Sequence, residues 1–225
     1  MRKILIYGGA FDPPHYGHLA VAQTALEVMS PKGFNHLWFM PCASDTFGMK
    51  ALAGGSHRVS MLEMIALAES RASISTFELD MNNQAGTYAL MKALMQTYPG
   101  TDFAYVIGQD QARQIKKWRN SRALRKLVPF VTIRRLSEPP FRWAVRWAEN
   151  APHVFVKDSP MEKNMASSEI RRAISAGHTK YMRNTVTSPA VMSYIHSNNL
   201  YKSEGKSSNN LYKSEDKSDE YTLGT

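Results

Sequence analysis

The chain has 225 residues, 43% hydrophobic and 21% charged, which excludes wholesale disorder, a collagen-like repeat and a coiled coil. One cysteine, Cys42, excludes an internal disulfide framework, and no apolar run approaches the roughly 18 residues of a membrane span, so the default location is the cytoplasm. Twenty-eight Lys and Arg against nineteen Asp and Glu leave a net charge of +9, which suits a polyanionic partner: nucleic acid, a membrane surface or a phosphorylated small molecule.

Residues 3–7 (KILIY) predict a buried strand closed by Gly8-Gly9. Three apolar residues there are too few for a signal peptide. Leu19, Ala22, Leu26 and Met29 recur at helical spacing and predict a helix over 18–29. A second apolar strand, 36–40, ends at Pro41, and 43–56 is a polar, glycine-containing loop. A helix over 57–70, a strand over 73–79 and a helix over 87–98, stopped by Pro99-Gly100, follow. Strand 102–107 opens onto Gly108; helix 121–127 precedes strands 129–134 and 153–156; a helix headed by two serines spans 167–176.

Strand and helix alternate to about residue 176. The expected class is therefore α/β, a Rossmann-like doubly wound parallel sheet with helices on both faces. Ligands of such sheets sit beyond the carboxyl ends of the strands, which here carry Gly8-Gly9, Pro41-Cys42 and Gly108-Gln109-Asp110. Residues 1–202 form the expected domain. Ser197–Lys206 (SNNLYKSEGK) is repeated at Ser208–Lys217 (SNNLYKSEDK), with nine of ten positions matching at an offset of 11. This polar duplication marks 203–225 as an expected disordered tail.

The segment Gly8-Gly9-Ala10-Phe11-Asp12-Pro13-Pro14-His15-Tyr16-Gly17-His18 joins the first strand to the first helix. Glycines permit close backbone approach to a ligand, and amides at a helix start favour a phosphate. His15 and His18 would both face that anion and donate hydrogen bonds as charge develops on it. Zinc would need further protein ligands that the neighbourhood lacks, so no protein metal site is expected. The spacing fits neither GxGxxG nor GxxxxGK[ST].

GGAFDPPHYGH resembles the signature of the nucleotidylyltransferase superfamily, with HYGH as its HxGH element. The longer context resembles the nicotinate and nicotinamide mononucleotide adenylyltransferases. Thr87-Tyr88, Ile107-Gly108-Gln109-Asp110, Trp118, Ile133-Arg134-Arg135 and Met165–Arg171 match in order, the last resembling ISxTxxR. Ala166 stands where that motif has its first serine, Ser168 replaces its threonine, and 41–58 lacks the proline-rich segment usual in the bacterial enzymes.

The resemblance implies adenylyl transfer from ATP to a pyridine mononucleotide, giving the dinucleotide and pyrophosphate in NAD biosynthesis. It implies His15 and His18 as catalytic phosphate donors. Gly8, Gly9, Ala10, Phe11, Gly108, Asp110, Ser167, Ser168 and Arg171 would bind ATP, the last three its β- and γ-phosphates. Thr87, Trp118 and Arg134 would bind the mononucleotide, with Trp118 stacked on the pyridine ring. Mg²⁺ would bridge phosphates, mostly through water. Neither nucleic acid nor membrane is an expected partner; oligomeric state stays open, a homo-oligomer included. Two alternatives remain. One is pantetheine-phosphate adenylyltransferase, which usually has Thr-Asn-Gly-His at the HxGH element. The other is a nucleic-acid-binding module built on the basic stretch 113–146, where Arg142/Arg146 and Trp143/Trp147 repeat at i, i+4.

Overall fold

The computed structural model describes residues 1–43, 53–82, 85–134, 145–157, 166–178 and 186–202. The tail 203–225, Arg135, Arg142, Trp143 and Met165 lie outside them. Six strands form one sheet in the order β3-β2-β1-β4-β5-β6: β1 (Arg2–Gly9), β2 (His36–Pro41), β3 (Ala72–Ile74), β4 (Thr101–Gly108), β5 (Phe130–Ile133) and β6 (Val154–Val156). Every pairing is parallel, with Ile6 opposite Trp38 on one side and Tyr105 on the other.

Both faces of the sheet are covered, which is why its central strands are continuous apolar runs. Leu5, Tyr7, Leu37, Phe39, Ala104 and Val106 face α1 (Tyr16–Met29) and α2 (Gly55–Ala66). Ile4, Ile6, Trp38, Met40, Phe103 and Tyr105 face α4 (Thr87–Thr97), α5 (Gln109–Gln114) and α6 (Ser121–Leu127). A third cluster, including Leu19, Met61, Ile170 and Val191, binds α7 (Ser167–Ser175) and α8 (Pro189–Ser197) onto α1 and α2. Ser188-Pro189 starts α8: the Ser188 hydroxyl accepts the Val191 N–H at 3.2 Å, and Pro189 needs no partner at the first helical position.

The expected strand 73–79 is corrected. Pairing stops at Ile74, and Phe77–Asp80 is a short helix, α3. Two hydroxyls break the strand: Ser75 Oγ accepts the Phe77 N–H at 3.4 Å, and Thr76 Oγ1 donates to Asp80 Oδ2 at 2.7 Å. Trp147, from the basic stretch of the nucleic-acid alternative, is a packing residue. Its indole donates to the Ala112 carbonyl at 3.2 Å and packs edge-on against Phe130 at 5.5 Å, so that ring faces the core.

Strand order reverses between β1 and β4. The crevice at the carboxyl ends of those two strands is the ligand position of open α/β sheets.

Candidate active site

The loop from Ala10 to His15 leaves β1 at this crevice and enters α1. Gly8 and Gly9 are not part of the loop: both lie in β1, opposite Met40 and Pro41. Their lack of side chains has internal causes. A Cβ on Gly8 would lie 2.0 Å from Tyr105 Oη, and one on Gly9 would lie 3.1 Å from the Phe11 ring. Phe11 itself is 1% exposed and packs edge-on against Tyr7, Phe39 and His18. Its side chain belongs to the core, so only its main chain is available to a ligand.

His15 caps α1 from an extended conformation and is 2% exposed; His18 is half-buried. The helix start turns His15 inward and leaves His18 the more exposed of the two. The rings stack with centroids 3.8 Å apart. The His15 N–H donates to His18 Nδ1 at 3.2 Å. That bond requires an unprotonated Nδ1, so a neutral His18 carries its proton on Nε2 as a donor.

More than 150 residues later, α7 docks onto the same loop. Ser167 Oγ donates to the Pro13 carbonyl at 3.0 Å. Arg171 donates to the Asp12 carbonyl and lies 3.7 Å from its Oδ2. At the Ala166 cap position, where no hydroxyl exists, Glu169 closes the helix start by accepting the Ala166 N–H at 2.8 Å. Ser168 is half-buried in the first turn. Ser167 and Arg171 thus bring the start of α7 to the loop that leads into His15 and His18.

Gly108 caps α5 at the end of β4, and the Asp110 carboxylate folds back so that a Cβ on Gly108 would meet Oδ1 at 2.5 Å. Across the sheet, Thr87 opens α4 and its side chain is hydrogen-bonded to the Tyr105 phenol. Burial, then the Glu78 charge, hold that phenol protonated well above the ordinary tyrosine range. Trp118 meets Tyr105 edge-on at 6.2 Å and packs partly buried on the core. It also borders a hollow of about 520 Å³ lined by Asn120, Ser121, Arg122, Ala123 and Lys126. Arg134 follows β5, its N–H bonded to the Val156 carbonyl. Trp118 Nε1 and Arg134 Nε are buried without a hydrogen-bond partner among the described residues.

Three residues absent from the sequence reading hold the loop, and a fourth, Tyr105, packs over the end of β1. Arg58, 2% exposed, donates to the carbonyls of Ala53, Ala10 and Cys42 at 2.9, 2.9 and 2.8 Å. Thr187 Oγ1 donates to the Pro14 carbonyl at 2.9 Å. Tyr201 donates to Asp12 Oδ1. Tyr105 fills the space above Gly8. The side-chain partner of Tyr201, Asp12, carried a visible signal, as the acid inside the motif.

A doubly wound sheet with a histidine-bearing loop at its switch point defines a nucleotidyltransferase architecture. Residues 6–173 match the Cytidylyltransferase-like family, and the chain belongs to it, among relatives curated as nicotinate-nucleotide adenylyltransferases. One relative, "Probable nicotinate-nucleotide adenylyltransferase" of Shouchella clausii (strain KSM-K16), is 33% identical over 202 residues, covering 89% of this chain and 97% of that one. A protein of the same name from Bacillus mycoides (strain KBAB4) is 33% identical over 205 residues, covering 90% and 100%. The fold is shared with the Plasmodium falciparum nicotinic acid mononucleotide adenylyltransferase complexed with NaAD, at TM-score 0.75 and 22% identity, covering 89% of this chain and 98% of that one. Among the described residues no helix is long and apolar enough to cross a membrane.

Proposed function

We propose that the chain transfers an adenylyl group from ATP to nicotinate mononucleotide, releasing pyrophosphate. The observation that carries this reading is the docking of α7 on the histidine loop through Ser167 and Arg171. It joins two phosphate-binding candidates, distant in sequence. The relatives' names support the acid substrate.

The nucleophile is the mononucleotide's own ionised phosphate, which attacks the α-phosphorus of ATP in line as the bond to the pyrophosphate oxygen breaks. No protein base or covalent intermediate is needed, so the protein's part is positioning and charge stabilisation. His18 Nε2–H donates to a non-bridging oxygen as its charge grows. His15 fixes the tautomer and angle of His18 through its main-chain N–H and the ring stack. The α7 amides, Ser168 and Arg171 hold the leaving phosphates, while Gly108 and Asp110 meet the nucleoside. Thr87, Trp118 and Arg134 serve the mononucleotide on the opposite face.

Among the described residues no group of three His, Cys, Asp or Glu side chains could hold a metal by itself. A Mg²⁺ arriving with ATP would need no protein ligand set of its own. When bound, it neutralises charge on the departing pyrophosphate. Residues 1–202 are the proposed catalytic domain.

The test is a coupled assay with ATP·Mg²⁺ and the acid and amide mononucleotides in parallel, on wild type and His18→Ala. The acid should be the better substrate, and the variant should lose about 10²–10³-fold in turnover while remaining folded. Near wild-type turnover in the variant removes His18 from the chemistry.

A further inference from the structure

Asp12 is 1% exposed, and its two carboxylate oxygens have different surroundings. Oδ1 accepts the Tyr201 phenol at 2.5 Å and the Ala53 N–H at 3.3 Å. Oδ2 is buried with no hydrogen bond among the described residues, and the Arg171 guanidinium stands 3.7 Å away. The cation beside it, Arg58, directs its donors to three carbonyls instead. Tyr201 lies just past α8 with φ +63°, so the end of the domain delivers this phenol to the first loop. Burial, with the Asp12 hydrogen bond and charge, holds the phenol protonated well above the ordinary tyrosine range, so at neutral pH it is a donor.

We propose that Tyr201 is a positioning residue for ATP: by occupying Asp12 Oδ1 it keeps Arg171 from closing onto the carboxylate and leaves the guanidinium able to engage a triphosphate. The inference rests on the reading of Arg171 as a phosphate ligand. Arginine and carboxylate favour a two-pronged pair, and a buried carboxylate that lacks a donor draws one in. With the phenol present, one prong is taken and Arg171 is held on the Asp12 carbonyl beside Oδ2. Without it, Arg171 would pair fully with Asp12, and ATP would have to break that pair. The mononucleotide groups Thr87 and Trp118 lie on the other face of the sheet and take no part.

Titration calorimetry of ATP·Mg²⁺ and of nicotinate mononucleotide, each alone, tests this on the full chain. The variants are Tyr201→Phe, Arg171→Ala and the double variant. All carry Tyr212→Phe, because Asn209–Lys213 repeats Asn198–Lys202 and offers a second phenol in the same context. Tyr201→Phe should raise the Kd for ATP roughly 5- to 20-fold. The mononucleotide Kd should stay within about twofold. In the Arg171→Ala background the Tyr201 effect should vanish, since a residue acting through Arg171 cannot act once it is gone. An equal Tyr201 effect in both backgrounds, weakening of both ligands, or no effect on ATP overturns the proposal while leaving Arg171's role intact. If Arg171→Ala alone leaves ATP binding unchanged, the phosphate-ligand reading fails and the proposal fails with it.

Discussion

Arg58→Met removes a buried guanidinium that ties together the ends of β1 and β2 and the start of α2. Met keeps the apolar stem but lacks the atoms of the guanidinium end, so the loss is mainly polar, with a small void added at the tip. Three carbonyls, on Ala10, Cys42 and Ala53, lose charge-assisted donors at 2.8–2.9 Å. Hydrogen bonds to charged groups contribute about 1.5–3 kcal/mol each, but removing the cation also removes its own desolvation cost. A net loss of about 3–5 kcal/mol is expected, in the range found when a buried charged network is broken. For a chain of this size that corresponds to a fall in Tm of roughly 6–20 °C. Arg58→Lys, with one nitrogen instead of three, cannot span the three acceptors and should recover less than half. Because the Ala10 carbonyl opens the histidine loop, kcat/KM at a temperature where the variant is folded should also fall. Thermal and urea unfolding, followed by steady-state kinetics, measure both effects. A Tm within 2 °C of wild type, on the scale of roughly 1 kcal/mol or less, would refute the bracing role.

Gly8→Ala should destabilise the fold by several kcal/mol, on the order of an overpacked core site, because its Cβ falls 2.0 Å from Tyr105 Oη. Adding Tyr105→Phe should recover part of that loss in urea denaturation, since the nearest atom is then gone. Trp118→Ala should weaken mononucleotide binding by roughly 5- to 150-fold with ATP little affected, by analogy with base stacking; equal weakening of both ligands returns Trp118 to a packing role. Deletion of residues 203–225 should leave turnover and Tm nearly unchanged, and a drop of several degrees would show that the segment packs on the domain. Stability should decline with acid partly through His153, whose Nδ1 accepts the Phe130 N–H and whose pKa is lowered by burial and then by Arg125. With the folded pKa below the unfolded value, its contribution is complete above about pH 6.5. It is lost as pH falls through the folded pKa. His153→Gln should flatten that part of the pH–stability profile in chemical denaturation; an unchanged slope excludes the assignment.

The alternation of strand and helix was legible because it depends on local periodicity: KILIY, HLWFM and DFAYVI are buried on both faces wherever they pack. The histidine loop was legible for the same reason, since its residues are contiguous between a strand and a helix start. The hydroxyl-driven break after Ile74 was missed because the apolar residues around it mimic a continuing strand. What the sequence alone could not disclose are contacts between distant residues. Gly8 reads as a ligand approach in the sequence, and the space a side chain there would need belongs to Tyr105 from a neighbouring strand. Trp118 lies in a polar stretch, yet packs on a core assembled from other elements. Arg58 shows only a cation on a helix until three carbonyls from three segments converge on it. Asp12 and Tyr201 are 189 residues apart and meet only because α7 and α8 fold back over α1 and α2. Local pattern determined which elements form and where the chemistry-bearing loop lies. Burial, which is a property of the assembled chain, determined which of its side chains face a ligand and which hold the others in place.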